Sequence, residues 1–381
     1  MQWRPQGRFV IAAVAVVALL TAAITLGAVL HQPADVTVRN LRIGVVDGPR
    51  DNQRVVLDVG FFTPAGQGRL PAILLAPGFG ETKSAVAPEA EYLARAGFAV
   101  LTWSPRGTGA SGGQIGLASP DYEVRDTSQL VTWLARQPRV LLDRPGDPRV
   151  GITGASYGGG LALLAAAYDH RINAVVAQSA WHNLATALFP NAAGGGLATG
   201  RGGGPASGVF ARQWAGLLFT QGSSGFGAPL PGPAGPAGPV ASPAGSAAAV
   251  HQHVLCGRFL PSICAMYQQV AQAGQATPAA ISLLQRSSPA SVAGRMDAPT
   301  LLIQGEHDSL FDLGQADANY QAIRRNGGPA AMVWFAGGHD GGDQQTSYVD
   351  SLTAAWFTRW LAPGHAPPAA PFTAGTGQPR I

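Results

Sequence analysis

Ser156, set between two glycines, is the first residue of this sequence with the makings of a reactive group. Gly154-Ala155-Ser156-Tyr157-Gly158 follows an apolar run of strand length, Val150 to Thr153, and leads into a helical pattern from about Gly159. At such a strand-to-helix turn a hydroxyl is presented at the top of a sheet, near a helix N-terminus, where negative charge that develops in acyl transfer is favoured. Strand and helix approach closely there, so the neighbours must be small; Ala155, Gly158, Gly159 and Gly160 meet that demand. With 51 glycines in the chain, the spacing alone would also suit a plain structural turn. The strand–motif–helix context is what selects Ser156 as a nucleophile.

A serine hydroxyl needs a base, and on this kind of turn its partners follow in the order Ser, Asp or Glu, His. Eight histidines are present. His31, His170 and His182 lie in the wrong part of the chain, His251 and His253 fall in an insertion, His365 is in the tail, and His307 precedes the late acid. His339, in the loop Gly337-Gly338-His339-Asp340-Gly341-Gly342, is expected to be the general base. The loop Gln304-Gly305-Glu306-His307-Asp308-Ser309 ends the preceding strand, and Asp308 is expected to fix the histidine tautomer and stabilise the imidazolium; Glu306 and Asp312 are its rivals. Two oxyanion donors are expected: the backbone N–H of Tyr157, and that of Phe79 in the loop Pro77 to Lys83.

These loops need a frame. Two Val-rich alternating segments, Val36 to Val46 and Arg54 to Phe62, come first. Apolar runs then alternate with helical patterns: Ala72 to Leu75, Phe98 to Trp103, Val150 to Thr153 and Ile172 to Ala177, with helices around Pro88 to Ala96, Tyr122 to Arg136 and from Gly159. This rhythm predicts an α/β fold of the α/β-hydrolase kind, a mostly parallel sheet flanked by helices. It breaks after Trp181. Residues 191–250 are dominated by Gly, Ala, Pro and Ser, and two helical patterns follow, His251 to Gln272 and Pro278 to Arg286. We read residues 36–181 as the first part of the core, 182–296 as a cap or lid insertion, 297–361 as the second part of the core and 362–381 as a tail. Within the second part, Thr300 to Gln304 and Ala331 to Phe335 read as strands, and Leu313 to Arg325 and Gln345 to Leu361 as helices.

With these residues in place, a resemblance becomes visible. Gly154-Ala155-Ser156-Tyr157-Gly158-Gly159 resembles the elbow of the Xaa-Pro dipeptidyl-peptidase and cocaine-esterase-like hydrolases. Pro105-Arg106-Gly107-Thr108-Gly109-Ala110-Ser111-Gly112 resembles their glycine-rich loop after the fourth strand, and the Asp308 and His339 loops resemble their acid and histidine loops. The resemblance covers about residues 36–181 and 297–361. It implies a serine hydrolase that works without a cofactor on an ester or a peptide. Phe79 lacks the hydroxyl that a tyrosine supplies as second oxyanion donor in such enzymes, and only 42 residues follow His339, where they carry a further domain. No acidic pair that would hold a substrate amine is identifiable. These departures tilt the expectation towards an ester.

The ends and the cysteines speak to location. Phe9 to Leu30 is free of charge and, as a helix, spans roughly 30 Å, a bilayer core. Arg4 and Arg8 before it favour an anchor with the catalytic domain outside the cytoplasm; a cleaved signal peptide, with residues 1–35 as leader and linker, gives the same side. Outside the cytoplasm, Cys256 and Cys264 are expected to form a disulfide, a better reading than zinc bound with His251 and His253. A net charge of +4 carried by scattered arginines gives no basic run for nucleic acid, and the glycines at 107, 109 and 112 lack the Lys-Ser/Thr of a phosphate-binding loop. The expectation is a membrane-anchored, extracytoplasmic serine hydrolase. A non-enzymatic surface protein on the same scaffold is the alternative from another class, and it requires an obstructed pocket or a displaced His339.

Overall fold

A computed structural model describes residues 35–190, 210–223 and 256–362. In chain order the first half runs β1 (Val36–Asp47), β2 (Gln53–Pro64), β3 (Ala72–Ala76), α1 (Ala87–Arg95), β4 (Ala99–Trp103), α2 (Glu123–Leu134), β5 (Val150–Ala155), α3 (Tyr157–Tyr168) and β6 (Ile172–Gln178). The helices α4 (Leu184–Leu188), α5 (Arg212–Ser223), α6 (Pro261–Ala273) and α7 (Pro278–Arg286) form the cap. The chain returns through β7 (Thr300–Gly305), α8 (Leu313–Arg325), β8 (Ala330–Phe335) and α9 (Thr346–Leu361).

The eight strands form one sheet in the order β1-β2-β4-β3-β5-β6-β7-β8. β1 runs antiparallel to β2, and β2 antiparallel to β4; every later pairing is parallel. This is the α/β-hydrolase topology. Parallel strands covered on both faces are apolar throughout, and β3 and β4 are buried at every residue. Alternation then sorts the side chains: Leu74 of β3 belongs to the core on one face, Ile73 and Leu75 to the core on the other. α3, YGGGLALLAAAY, has no charge on any side and is buried from Tyr157 to Ala167, which fixes the Ser156 end of the sheet from behind.

The cap leaves the sheet after β6 and rejoins it before β7, and its two ends are tied together. Trp181 Nε1 donates to the Ser287 carbonyl at 2.8 Å, the Leu184 N–H to Ser288 Oγ at 2.8 Å, and the Ala290 N–H to the His182 carbonyl at 2.9 Å.

Three readings of the sequence change in detail. The helical stretch expected from His251 to Gln272 is interrupted: Cys256 is helical, the chain turns at 257–258 and Phe259 bridges to Ile115, and α6 then runs from Pro261, whose missing N–H suits the first helical turn. Residues 251–255 lie outside the described residues. Helix α4 is a single short turn of five residues, too brief to show a period, and α5 is hidden by the Gly, Ala and Pro bias of its segment, which masks the short apolar run of Trp214, Leu217 and Leu218. α3 begins two residues earlier than expected, directly at Tyr157. The apolar stretch 9–30 and the tail from 363 also lie outside the described residues; among the described ones, no helix is long and apolar enough to cross a membrane.

Candidate active site

Ser156 sits at φ 54°, ψ −115°, a left-handed backbone that a non-glycine residue adopts only under constraint. The constraint is visible. Its N–H donates to the Gln178 carbonyl of β6 at 2.9 Å, and its carbonyl accepts the Gly160 N–H of α3 at 3.0 Å. The glycines of the motif follow from the same crowding: a Cβ on Gly154 or Gly158 would be driven into the Ala76 carbonyl oxygen of β3.

The loop after β8 carries His339 to the serine. His339 Nε2 lies 2.8 Å from Ser156 Oγ, and His339 Nδ1 lies 2.7 Å from Asp308 Oδ2. A carboxylate at Nδ1 places the imidazole proton there and leaves Nε2 to accept the serine O–H. Asp308 is buried, 8% exposed, and fully engaged. Its Oδ1 accepts the N–H groups of Leu310 at 3.1 Å and Phe311 at 2.8 Å, and its Oδ2 accepts Gln304 Nε2 at 3.2 Å. The rivals are occupied elsewhere: Glu306 points to solvent, and Asp312 caps α8 by accepting the Gln315 N–H at 3.1 Å.

The acid and histidine loops are zipped to each other. The His307 N–H donates to the Gly337 carbonyl at 2.9 Å and the Asp340 N–H to the His307 carbonyl at 3.2 Å. Asp340 accepts the Ser309 N–H and, at 2.9 Å, the Ser309 hydroxyl. The cap joins this arrangement, since Trp214 Nε1 of α5 donates to Ser309 Oγ at 3.1 Å. The rings of Phe311 and Trp214 meet the His339 imidazole edge-on, at 5.3 and 5.9 Å between centroids. Gln304, Ser309, Asp340 and Trp214 carry no sequence signal of these roles, because each depends on a partner that only folding brings near.

The N–H groups of Tyr157 and Phe79 donate to no protein acceptor among the described residues. The Phe79 loop is pinned on both sides: the Gly78 N–H donates to Glu81 Oε2 at 2.8 Å, and the Phe79 carbonyl accepts Gln221 Nε2 of the cap at 3.2 Å.

Behind the elbow lies a buried polar cluster from the glycine-rich loop. Arg106, 2% exposed, donates to Asp47 at 2.6 Å and lies 4.6 Å over the Tyr122 ring. Glu123 accepts the N–H groups of Gly116 at 2.6 Å and Ser119 at 3.0 Å, and the Ala118 N–H in turn donates to the Tyr157 hydroxyl at 2.7 Å. Burial, and then the nearby Glu123 carboxylate, hold the Tyr157 phenol well above its ordinary pKa, so it stays neutral. Burial also raises the Glu123 pKa, against the opposing pull of Arg106 and the backbone N–H groups. His182 is remote in role: burial lowers its pKa, and its Nδ1 faces Asn319 at 2.9 Å.

A pocket of about 720 Å³, its open mouth included, begins at Ser156 and runs under the cap. Its lining is almost wholly apolar, from Phe79 and Leu117 near the elbow to Phe219, Phe259 and Tyr267 in the cap. Cys256 and Cys264 are joined in a disulfide, which encloses Phe259 and Ile263 of that lining. The described residues contain no group of histidine, cysteine or acidic side chains arranged for a metal ion.

Residues 48–209 match the X-Pro dipeptidyl-peptidase (S15) family. A polyketide transferase of Penicillium is 33% identical over 123 residues, 31% of this chain and 39% of that one. The chain spans about two fifths of the length of the curated relatives it matches. Among solved structures, an acylaminoacyl peptidase of Pyrococcus horikoshii aligns over 88% of this chain and 43% of its own at a TM-score of 0.54 and 16% identity. An esterase of Pyrococcus furiosus aligns over 85% of this chain and 93% of its own at 0.51 and 16%. At those identities the likeness is one of fold.

Proposed function

We propose that this chain, an α/β-hydrolase related over residues 48–209 to the S15 family, is a serine hydrolase that cleaves carboxylic esters through an acyl-enzyme. The observation that carries the reading is the unbroken hydrogen-bonded line from Asp308 through His339 to a serine held on a strained elbow. Ser156 Oγ attacks the substrate carbonyl as His339 Nε2 takes its proton, and Asp308 stabilises the imidazolium. The N–H groups of Tyr157 and Phe79 receive the oxyanion. His339 then hands its proton to the departing alcohol, and water repeats the cycle to free the acid.

An ester fits better than a peptide N-terminus. No acidic side chain lines the pocket, and two of its polar atoms are already used, Tyr157 Oη by the Ala118 N–H and Trp181 Nε1 by the Ser287 carbonyl. A charged substrate amine would lie there unpaired, at a cost of several kcal/mol. A dipeptidyl-peptidase activity is the second reading, favoured by the family match at 48–209. The apolar run at 9–30 after Arg4 and Arg8, and a disulfide, support an anchored domain on the extracytoplasmic side.

A fluorophosphonate probe should label the purified chain and leave Ser156→Ala unlabelled; labelling that persists in the variant removes the assignment. Turnover of p-nitrophenyl esters without turnover of Xaa-Pro amides separates the two substrate readings. Membrane fractionation of the full chain against one lacking residues 1–35 tests the anchor, which fails if both forms stay in the soluble fraction.

A further inference from the structure

The rings along the pocket form a ladder that leads away from the nucleophile. Tyr157 meets Phe79 at 5.5 Å, and Phe79 meets Phe259 at 6.0 Å. Phe259 stacks on Phe219 at 5.2 Å and 3°, and Phe219 on Tyr267 at 3.7 Å and 7°. All five rings line the pocket that opens at Ser156. The rings of the cap therefore spend much of their faces on one another, Phe219 stacking with both Phe259 and Tyr267. The wall that completes the pocket is mostly aliphatic, with Leu184, Leu188, Leu218, Ile263 and Met266, joined by Trp181 and Phe311, whose rings pack on each other at 5.3 Å. Ring edges and branched side chains of this kind suit polymethylene.

The position of His339 says which end of the substrate enters. The pocket is lined by Ser156 and by the two residues whose amides face the oxyanion, Tyr157 and Phe79, but not by His339. The leaving group must depart beside His339 Nε2, because that nitrogen protonates it. The part of the substrate that occupies the pocket is therefore the acyl part.

We infer that the pocket is an acyl-chain site for aliphatic carboxylic acids, and that the outer rung of the ladder, Tyr267 against Phe219, sets the length of chain it accepts. This rests on the ester-hydrolase reading above. Tyr267 and Phe219 are half-buried on cap helices α6 and α5, outside the sheet that carries Ser156, so changing them leaves the catalytic frame standing.

The test uses the full chain and two ester series. The first varies the acid, p-nitrophenyl acetate through dodecanoate. With each methylene buried, kcat/KM is expected to rise about fourfold until the pocket is full, then to fall. The second varies only the alcohol, alkyl acetates of the same lengths, and is expected to show no such climb. In Tyr267→Ala, and independently in Phe219→Ala, the maximum moves to longer acids; in Tyr267→Trp it moves to shorter ones. A flat acyl series, a climb in the alcohol series instead, or a maximum that neither cap variant moves overturns the inference. If Ser156 still takes the fluorophosphonate in those cases, the hydrolase reading survives. Loss of both labelling and ester turnover in the wild-type chain sinks the reading and the inference with it.

Discussion

Gln304 donates from its side-chain amide to Asp308 Oδ2 at 3.2 Å, and from the same nitrogen to the Phe311 carbonyl at 2.6 Å. Together with the Leu310 and Phe311 N–H groups on Oδ1, this aims the Asp308 carboxylate at His339 before any substrate arrives. In Asp308→Asn an amide can face Nδ1 with its N–H and favour the wrong imidazole tautomer. Steady-state kinetics on an ester should show kcat lowered roughly 10³- to 10⁴-fold with KM little changed. A loss below tenfold would mean that the acid is not a partner of His339.

Arg106 and Asp47 form an ion pair that water does not reach, with side chains 1% and 0% exposed. Removing one partner leaves the other charge buried. Arg106→Met should lose about 3–5 kcal/mol in urea unfolding. Arg106→Met with Asp47→Asn should recover part of that loss, since the double variant no longer strands the Asp47 carboxylate, although Asp126 at 4.0 Å still loses its cation. Equal losses in the single and double variants would show that the pair acts by packing alone.

The disulfide between Cys256 and Cys264 closes the turn that carries Phe259 into the pocket. Replacing both cysteines with serine should remove about 2–3 kcal/mol, the amount expected for so short a loop. The loss falls on the cap, and not on the sheet. Hydrogen exchange should accordingly quicken in α6 while β3 and β5 keep their protection. Uniform quickening across the sheet would contradict a cap-local role.

Glu89 on α1 supplies a pH handle outside the triad. Burial, with the carboxylates of Asp350 and Glu81 nearby, raises its pKa from 4.5 to about 8, and its Oε1 has no hydrogen-bond partner among the described residues. A carboxyl raised on folding holds its proton more tightly in the native state, so stability falls as pH climbs from its unfolded to its folded value. Glu89→Gln cannot ionise. Thermal unfolding should therefore find the two proteins alike below pH 4.5, the variant increasingly more stable up to about pH 8, and the gap constant beyond. A gap that is the same at every pH would rule out the titration.

Much of the frame could be read along the chain because its signals are local. Ile73, Leu74 and Leu75 are buried whichever way they point, which a continuous apolar run announces. Ser156, Asp308 and His339 each end a strand in a small-residue loop, and chain order alone groups them. What stayed hidden depends on distant partners. Trp214 is one tryptophan in a glycine-rich segment until α5 brings it over His339. Phe259 sits in a stretch with helical periodicity, but Ile115 draws it into a bridge that separates helical Cys256 from the helix that starts at Pro261. Local periodicity cannot register a competitor 144 residues away.

The cap's two ends meet, with Trp181 bonded to Ser287 and His182 to Ala290. Everything between them is a single excursion that starts and finishes at one spot on the sheet. The entropy of closing such an excursion grows only with the logarithm of its length, roughly 0.6 kcal/mol per doubling. Insertions, repeats and drift within it are thus thermodynamically cheap, provided that Trp214 and Gln221 keep their hold on the Ser309 and Phe79 loops. Evolution or an engineer can re-address the scaffold to a new acid by swapping one uninterrupted stretch of gene.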